Sequence, residues 1–174
     1  MSRGLGDVYK RQDNTYSSDN EVRVFCEQAV NNLLTTPFSF TLSEEKNAAC
    51  TWAEEVEDYL YEPGSSLLKA GPYRLLSERY GVRKLQANSH LYTSFHEVDF
   101  PGRRFRVLEV SDFGKKNLKQ FLQGIEKANL TVRNFPTSVV ELRKKLKLKE
   151  GGDLYLFATT LHGGQKVLIK CIKA

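Results

Sequence analysis

From Phe105 to Val110 the apolar-rich run reads as a strand, and over Lys115 to Lys127 the apolar residues take a helical period. There Leu118, Phe121, Leu122 and Ile125 recur at i, i+3, i+4 and i+7. That spacing makes one apolar helical stripe and turns Lys116, Lys119 and Lys127 away from it. Leu130 to Arg133 reads as a second strand. Ser138 followed by Glu141 has the form of a capping box. The helix it opens buries Val139, Leu142 and Leu146, exposes Arg143, Lys144 and Lys147, and stops at Gly151-Gly152. The final apolar stretch is two strands joined across Gly163-Gly164, a pair that tolerates the positive φ of a tight hairpin. In it Leu154, Leu156 and Ala158 share one face, and Tyr155, Phe157 and Thr159 the other. The pattern predicts an α/β (α+β) fold, with a small mixed sheet in β-α-β-α-β-β order in the C-terminal half.

Before residue 100 the elements are shorter. Val22, Val24 and Cys26 alternate with polar or larger neighbours, as do Phe38, Phe40 and Leu42, which predicts two short strands without partners in their own neighbourhood. Ser43 with Glu44 and Glu45 resembles a helix cap with acids in the first turn, opening an acidic helix through Trp52 and Val56. Pro63-Gly64 breaks the chain, Ser65 or Ser66 can cap a helix, Pro72 restarts one and Gly81 stops it. Leu67, Leu68, Leu75 and Leu76 would face the core of this helical connector.

Asp13 to Asn20 is a polar, turn-rich loop. The stretch SRGLGDVYKRQ before it has neither period, and read back into codons it matches a translated library adapter. The expected organisation is therefore a scar over 1–12, a remnant of an upstream domain over 13–62, the connector over 63–98 and an α/β domain over 99–174, with the natural start lying upstream.

Charge changes the picture more than composition does. The net charge of +5 hides an asymmetry. Residues 1–100 carry 10 Lys and Arg against 15 Asp and Glu, a balance of −5, whereas residues 101–174 carry 16 against 6, a balance of +10. Such a local excess is the electrostatic footprint of a polyanion binder or, more simply, a solvated basic surface. Arg103, Arg104 and Arg106 flank Phe105, and guanidinium forks suit phosphate oxygens. Lys115, Lys116 and Lys119 open one helix, and Arg133, Arg143, Lys144 and Lys147 surround the next. Tyr155 and Phe157 would stack bases only on an open sheet face; core packing is the simpler role.

Enzyme chemistry lacks a complete constellation. Asp112-Phe113-Gly114 matches a kinase metal-binding triplet, but the glycine-rich loop, lysine strand and catalytic loop are absent, so Asp112 is expected to cap a helix and Phe113 to pack. There is no nucleophile elbow, Walker loop or dinucleotide fingerprint. Glu54, Glu55, Glu57 and Asp58 lack the spacing of a hard-cation loop. Three cysteines without paired spacing, Cys26, Cys50 and Cys171, read as reduced thiols of a cytoplasmic protein, and with His90, His96 and His162 they show no zinc spacing. No apolar run approaches the ~20 residues that span a bilayer, so no membrane partner is expected.

At Tyr59-Leu60-Tyr61-Glu62-Pro63, Lys69-Ala70-Gly71, Leu91-Tyr92-Thr93-Ser94, Arg104-Phe105-Arg106-Val107 and Arg133-Asn134-Phe135-Pro136 the chain resembles a known family. It is similar to the C-terminal part of bacterial class I S-adenosylmethionine-dependent methyltransferases that end in a THUMP-like domain, over about Glu21 to Ala174. The resemblance implies a basic half that presents structured RNA to an upstream methyltransferase domain. It implies S-adenosylmethionine for the intact parent and no cofactor here, because the glycine-rich cofactor loop and the Asn/Asp-Pro-Pro-aromatic tetrad have no counterpart in this sequence. A docking or dimerising module, favoured by apolar exposure around Leu91 to Phe95, and a free-standing nucleic-acid-binding regulator are the alternatives. DNA upstream of codon 13 separates a truncated enzyme from the regulator.

Overall fold

The computed structural model describes residues 22–27, 29–30, 33–34 and 37–174. The strands are Arg23–Cys26 (β1), Ala29–Val30 (β2), Leu33–Leu34 (β3), Phe38–Thr41 (β4), Tyr59–Pro63 (β5), Arg83–Lys84 (β6), Tyr92–Ser94 (β7), Gly102–Ser111 (β8), Asn129–Arg133 (β9), Tyr155–Thr160 (β10) and Lys166–Lys173 (β11). The helices are Leu42–Asn47 (α1), Ser65–Ala70 (α2), Tyr73–Tyr80 (α3), Lys115–Phe121 (α4) and Val139–Leu146 (α5). Seven strands make one mixed sheet in the order β6-β7-β5-β8-β11-β10-β9, in which only β9 and β10 run parallel. From β8 onward the order is β-α-β-α-β-β, as the periodicity predicts.

β8 holds the sheet together. Its first half pairs with β5, Gly102 to Arg106 against Pro63 to Tyr59, and its second half pairs with β11. A register shift between Lys170 and Cys171 marks a bulge, which sharpens the local twist. Gly102 is required at the β5 junction: a Cβ there would fall onto the Glu62 carbonyl oxygen and within 2.9 Å of the Gly64 nitrogen.

The sheet is apolar on both faces. On one, Leu156, Ala158 and Leu168 pack against Phe121, Leu142 and Leu146 of α4 and α5. Farther along, Tyr61 and Tyr92 pack against Leu67, Leu75 and Leu76 of α2 and α3, with Cys26, Phe38 and Phe40 of the β1–β4 pair. The other face gathers Leu60, Phe105, Phe157 and Ile169 with Leu85, Leu91 and Leu161, residues drawn from both ends of the sheet. The sheet therefore curls over this face until its ends meet, and the Trp52 ring stacks on His162 of the β10–β11 turn at 4.9 Å. Phe105 and Phe157, both fully buried with ring centroids 5.0 Å apart, fill the concavity. Each contributes on the order of 1.5–3 kcal/mol by leaving water.

Several local expectations change, among them the α2 cap, which is Gly64 rather than Ser65 or Ser66. β1 and β4 pair antiparallel with each other, Arg23 opposite Thr41 through Cys26 opposite Phe38, so each does have a neighbouring partner. Helix α1 is capped by Thr41, not Ser43, through a capping box with Glu44. It ends at Asn47, and Trp52 instead bridges to Lys84 as the sheet extends past β6. Helix α4 stops at Phe121 and the chain turns through Gly124 at φ 78°, yet Leu118, Leu122 and Ile125 still reach the same core. Helix α5 ends at Lys147, in the left-handed conformation at φ 57°, before Gly151-Gly152. The adapter-like residues 1–12 lie outside the described residues.

Candidate nucleic-acid interface

The turn that opens α4 is built by Asp112. Its Oδ1 accepts from the Gly114 N–H at 2.8 Å, both its oxygens accept from Asn117 Nδ2, and Phe113 packs on Phe135 at 4.9 Å. The kinase-like triplet is thus a helix entry. With Phe121 buried beneath the helix, Lys115, Lys116 and Lys119 stand exposed. Ser138 and Glu141 form the expected capping box at α5, Leu142 and Leu146 anchor it, and Lys144 and Lys147 are exposed. Among the described residues no acid lies within 4 Å of these five lysines or of exposed Arg106.

The other four candidate cations are engaged. Arg143 donates to the Ala128 carbonyl at 3.1 Å and lies 4.0 Å from Glu150. Arg104 lies 3.4 Å from Asp99 and 3.6 Å from Glu97. Arg103 and Arg133 converge on the buried carboxylate of Glu62. Strand register puts Glu62, Arg103 and Arg133 on the concave face, with Leu60, Phe105 and Phe157, whereas α4 and α5 cover the opposite one. The ten candidates therefore do not form one patch.

Beside Arg133 lies a group of residues that the sequence did not single out. Lys84 is 4% exposed, donates Nζ to the Ala87 carbonyl at 2.7 Å and sits 5.0 Å from the Tyr73 ring centroid. Burial holds its pKa below the usual lysine range. The His90 ring stacks on Tyr73 at 3.7 Å, and its pKa falls to about 4, first through burial and then through the charges of Lys84 and Arg133. The one available signal was Glu62 itself, an acid at an inward position of an otherwise apolar strand.

Residues 102–173 match the family described as THUMP domain-like. Residues 59–101 match a family described as a ferredoxin-like domain. Among solved structures, a candidate methyltransferase from Porphyromonas gingivalis W83 is 42% identical, with a TM-score of 0.77 over 87% of this chain. This chain spans 38% of that longer protein. No curated protein matches the sequence.

The THUMP domain-like region begins at the first residue of β8, so the sheet runs continuously across the boundary between the two matches. Glu62 belongs to the ferredoxin-like match, while Arg103 and Arg133 belong to the THUMP domain-like one. Leu91 and Tyr92 are buried and only Phe95 of that stretch is exposed, beneath the Arg83 guanidinium at 4.9 Å, so the apolar surface that would favour docking is not built there. Among the described residues no group of three or more His, Cys, Asp or Glu is placed to hold a metal ion, and no helix is long and apolar enough to cross a membrane. All three cysteines are free, and burial pushes the Cys171 thiol up to about 12.

Proposed function

We propose that this chain is the RNA-binding, substrate-presenting region of a cytoplasmic S-adenosylmethionine-dependent RNA methyltransferase, and that it does not transfer methyl groups by itself. The THUMP domain-like match and the similarity to part of a candidate methyltransferase support the reading. The observation that carries it is the set of six exposed cations, Arg106, Lys115, Lys116, Lys119, Lys144 and Lys147, that no acid among the described residues neutralises. Phosphates would meet these side chains at little cost, because no ion pair has to break first. The methyl donor belongs, in this reading, to the parent's other domain. The residues here do not fit it: the glycine-bearing strand-to-helix turn at 111–114 is filled by the Asp112 carboxylate.

The test is fluorescence anisotropy with a structured RNA across a salt series. Six phosphate contacts give a log–log slope of about four to five, at roughly 0.7 to 0.9 per contact. Absent binding, or affinity indifferent to salt, overturns the proposal.

A further inference from the structure

A second anion site lies on the concave face, away from the helix lysines. Arg103 Nε donates to Glu62 Oε2 at 2.6 Å and its Nη2 pairs with the same oxygen, while Arg133 Nε and Nη2 reach Oε1 at 3.0 and 2.7 Å. A guanidinium has five N–H groups in a fixed fork. Glu62 occupies the side edge of each, so among the described residues both Nη1 groups remain without a protein acceptor. The arginine side chains are 49% and 35% exposed, while the Glu62 side chain beneath them is 4% exposed.

The arginines are also held still. The Arg103 guanidinium lies over Phe105 at 5.4 Å and Phe157 at 5.9 Å, and Arg133 is followed by Asn134, whose amide donates to Gln86 across the closing sheet at 2.8 Å. Charge is in excess. Glu62 cancels one of the two arginines, and among the described residues no other carboxylate pairs with either. Two orphaned polar atoms lie nearby. His90 Nδ1 and the hydroxyl of Thr159, which is Arg133's neighbour across β10, are both buried without hydrogen-bond partners among the described residues.

The geometry points to a phosphomonoester site in which the outward ends of Arg103 and Arg133, splayed by Glu62, grip the phosphate beside the Tyr73–His90 stack. Arg forks suit phosphate oxygens in pairs, and a terminal phosphate, with charge near −2, offers the two forks more charge and more free oxygens than an internal diester does. The phosphate could belong to a free mononucleotide or to an RNA end.

Isothermal titration of the full chain at constant ionic strength tests this with inorganic phosphate, adenosine monophosphate and adenosine. Saturable binding of phosphate and the monophosphate, but not of adenosine, is expected. A 5′-phosphorylated RNA that binds about tenfold more tightly than its 5′-hydroxyl twin assigns the site to an RNA end, and equal affinities assign it to the free nucleotide. Arg133→Lys, which keeps the charge but loses the fork, should weaken monophosphate binding about tenfold, whereas Lys46→Gln, on exposed α1 and outside both sites, should leave it unchanged. If the wild-type chain binds neither phosphate nor the monophosphate, Glu62 and its arginines are only a tie between strands and the inference fails. That result leaves the helix lysines and the RNA reading untouched.

Discussion

Arg133 follows Glu62 by 71 residues, yet its Nε and Nη2 both donate to one oxygen of that carboxylate, at 3.0 and 2.7 Å. The contact draws the edge strand β9 toward β5, and Arg103 holds the other oxygen. Replacing the carboxylate while leaving both arginines forfeits the only acid that pairs with them among the described residues. Glu62→Ala should therefore destabilise the fold by about 2–4 kcal/mol, less than a fully buried pair would lose because the arginines can reach water. Chemical denaturation checks the magnitude. In a double-mutant cycle Glu62→Gln and Arg133→Met should be less than additive, and additive costs would show that the contact does not form.

Gly102 makes a sharper demand. Alanine at this position collides with backbone, which cannot rotate away as a flexible side chain would. Gly102→Ala should cost roughly 2 kcal/mol or more and displace β5 from β8. Loss of amide exchange protection at Leu60 and Phe105 would report it, and a wild-type melting temperature would refute it.

His90 sets a pH dependence. Its folded pKa, about 4, lies below the unfolded value near 6.5, so between the two the unfolded chain binds more protons than the folded one. The groups that face it are Lys84, Arg133 and the Tyr73 ring. Its contribution is complete above pH 6.5 and is lost as the pH falls toward 4. Thermal melts of the wild type and His90→Gln should diverge near neutrality and converge in acid, and parallel curves would count against a neutral, half-buried imidazole.

Lys147 separates folding from binding. It holds a left-handed φ of 57° at the end of α5, a conformation that suits glycine. Lys147→Gly should stabilise the fold by up to about 1 kcal/mol while lowering the salt slope of RNA binding by about 0.7 to 0.9. A variant that is more stable with an unchanged slope would remove Lys147 from the interface.

Much of this architecture was legible in advance because it rests on local signals. The alternation of Leu156 and Ala158 against Tyr155 and Phe157 gives β10 its two buried faces, and Ser138 with Glu141 marks the start of α5. The acidic stretch around Trp52 misled because acids and helix formers satisfy a helix locally. In the fold the Lys84 backbone recruits this segment instead, donating to the Thr51 carbonyl and accepting from the Ala53 N–H. The candidate site was only half legible. Local sequence reveals that a side chain is basic but not what neutralises it, and the acids that take Arg103, Arg104 and Arg133 come from 5 to 71 residues away. Lys84 and His90 were invisible for the same reason, since their character comes from burial against Tyr73.

β8 gives one flank to β5 and the other to β11, so neither matched half owns its own middle. Severing the chain between residues 101 and 102 would strip the first piece of its longest neighbour and leave the second with a bare, sticky margin. The two matches thus share one continuous sheet and bury its middle only together.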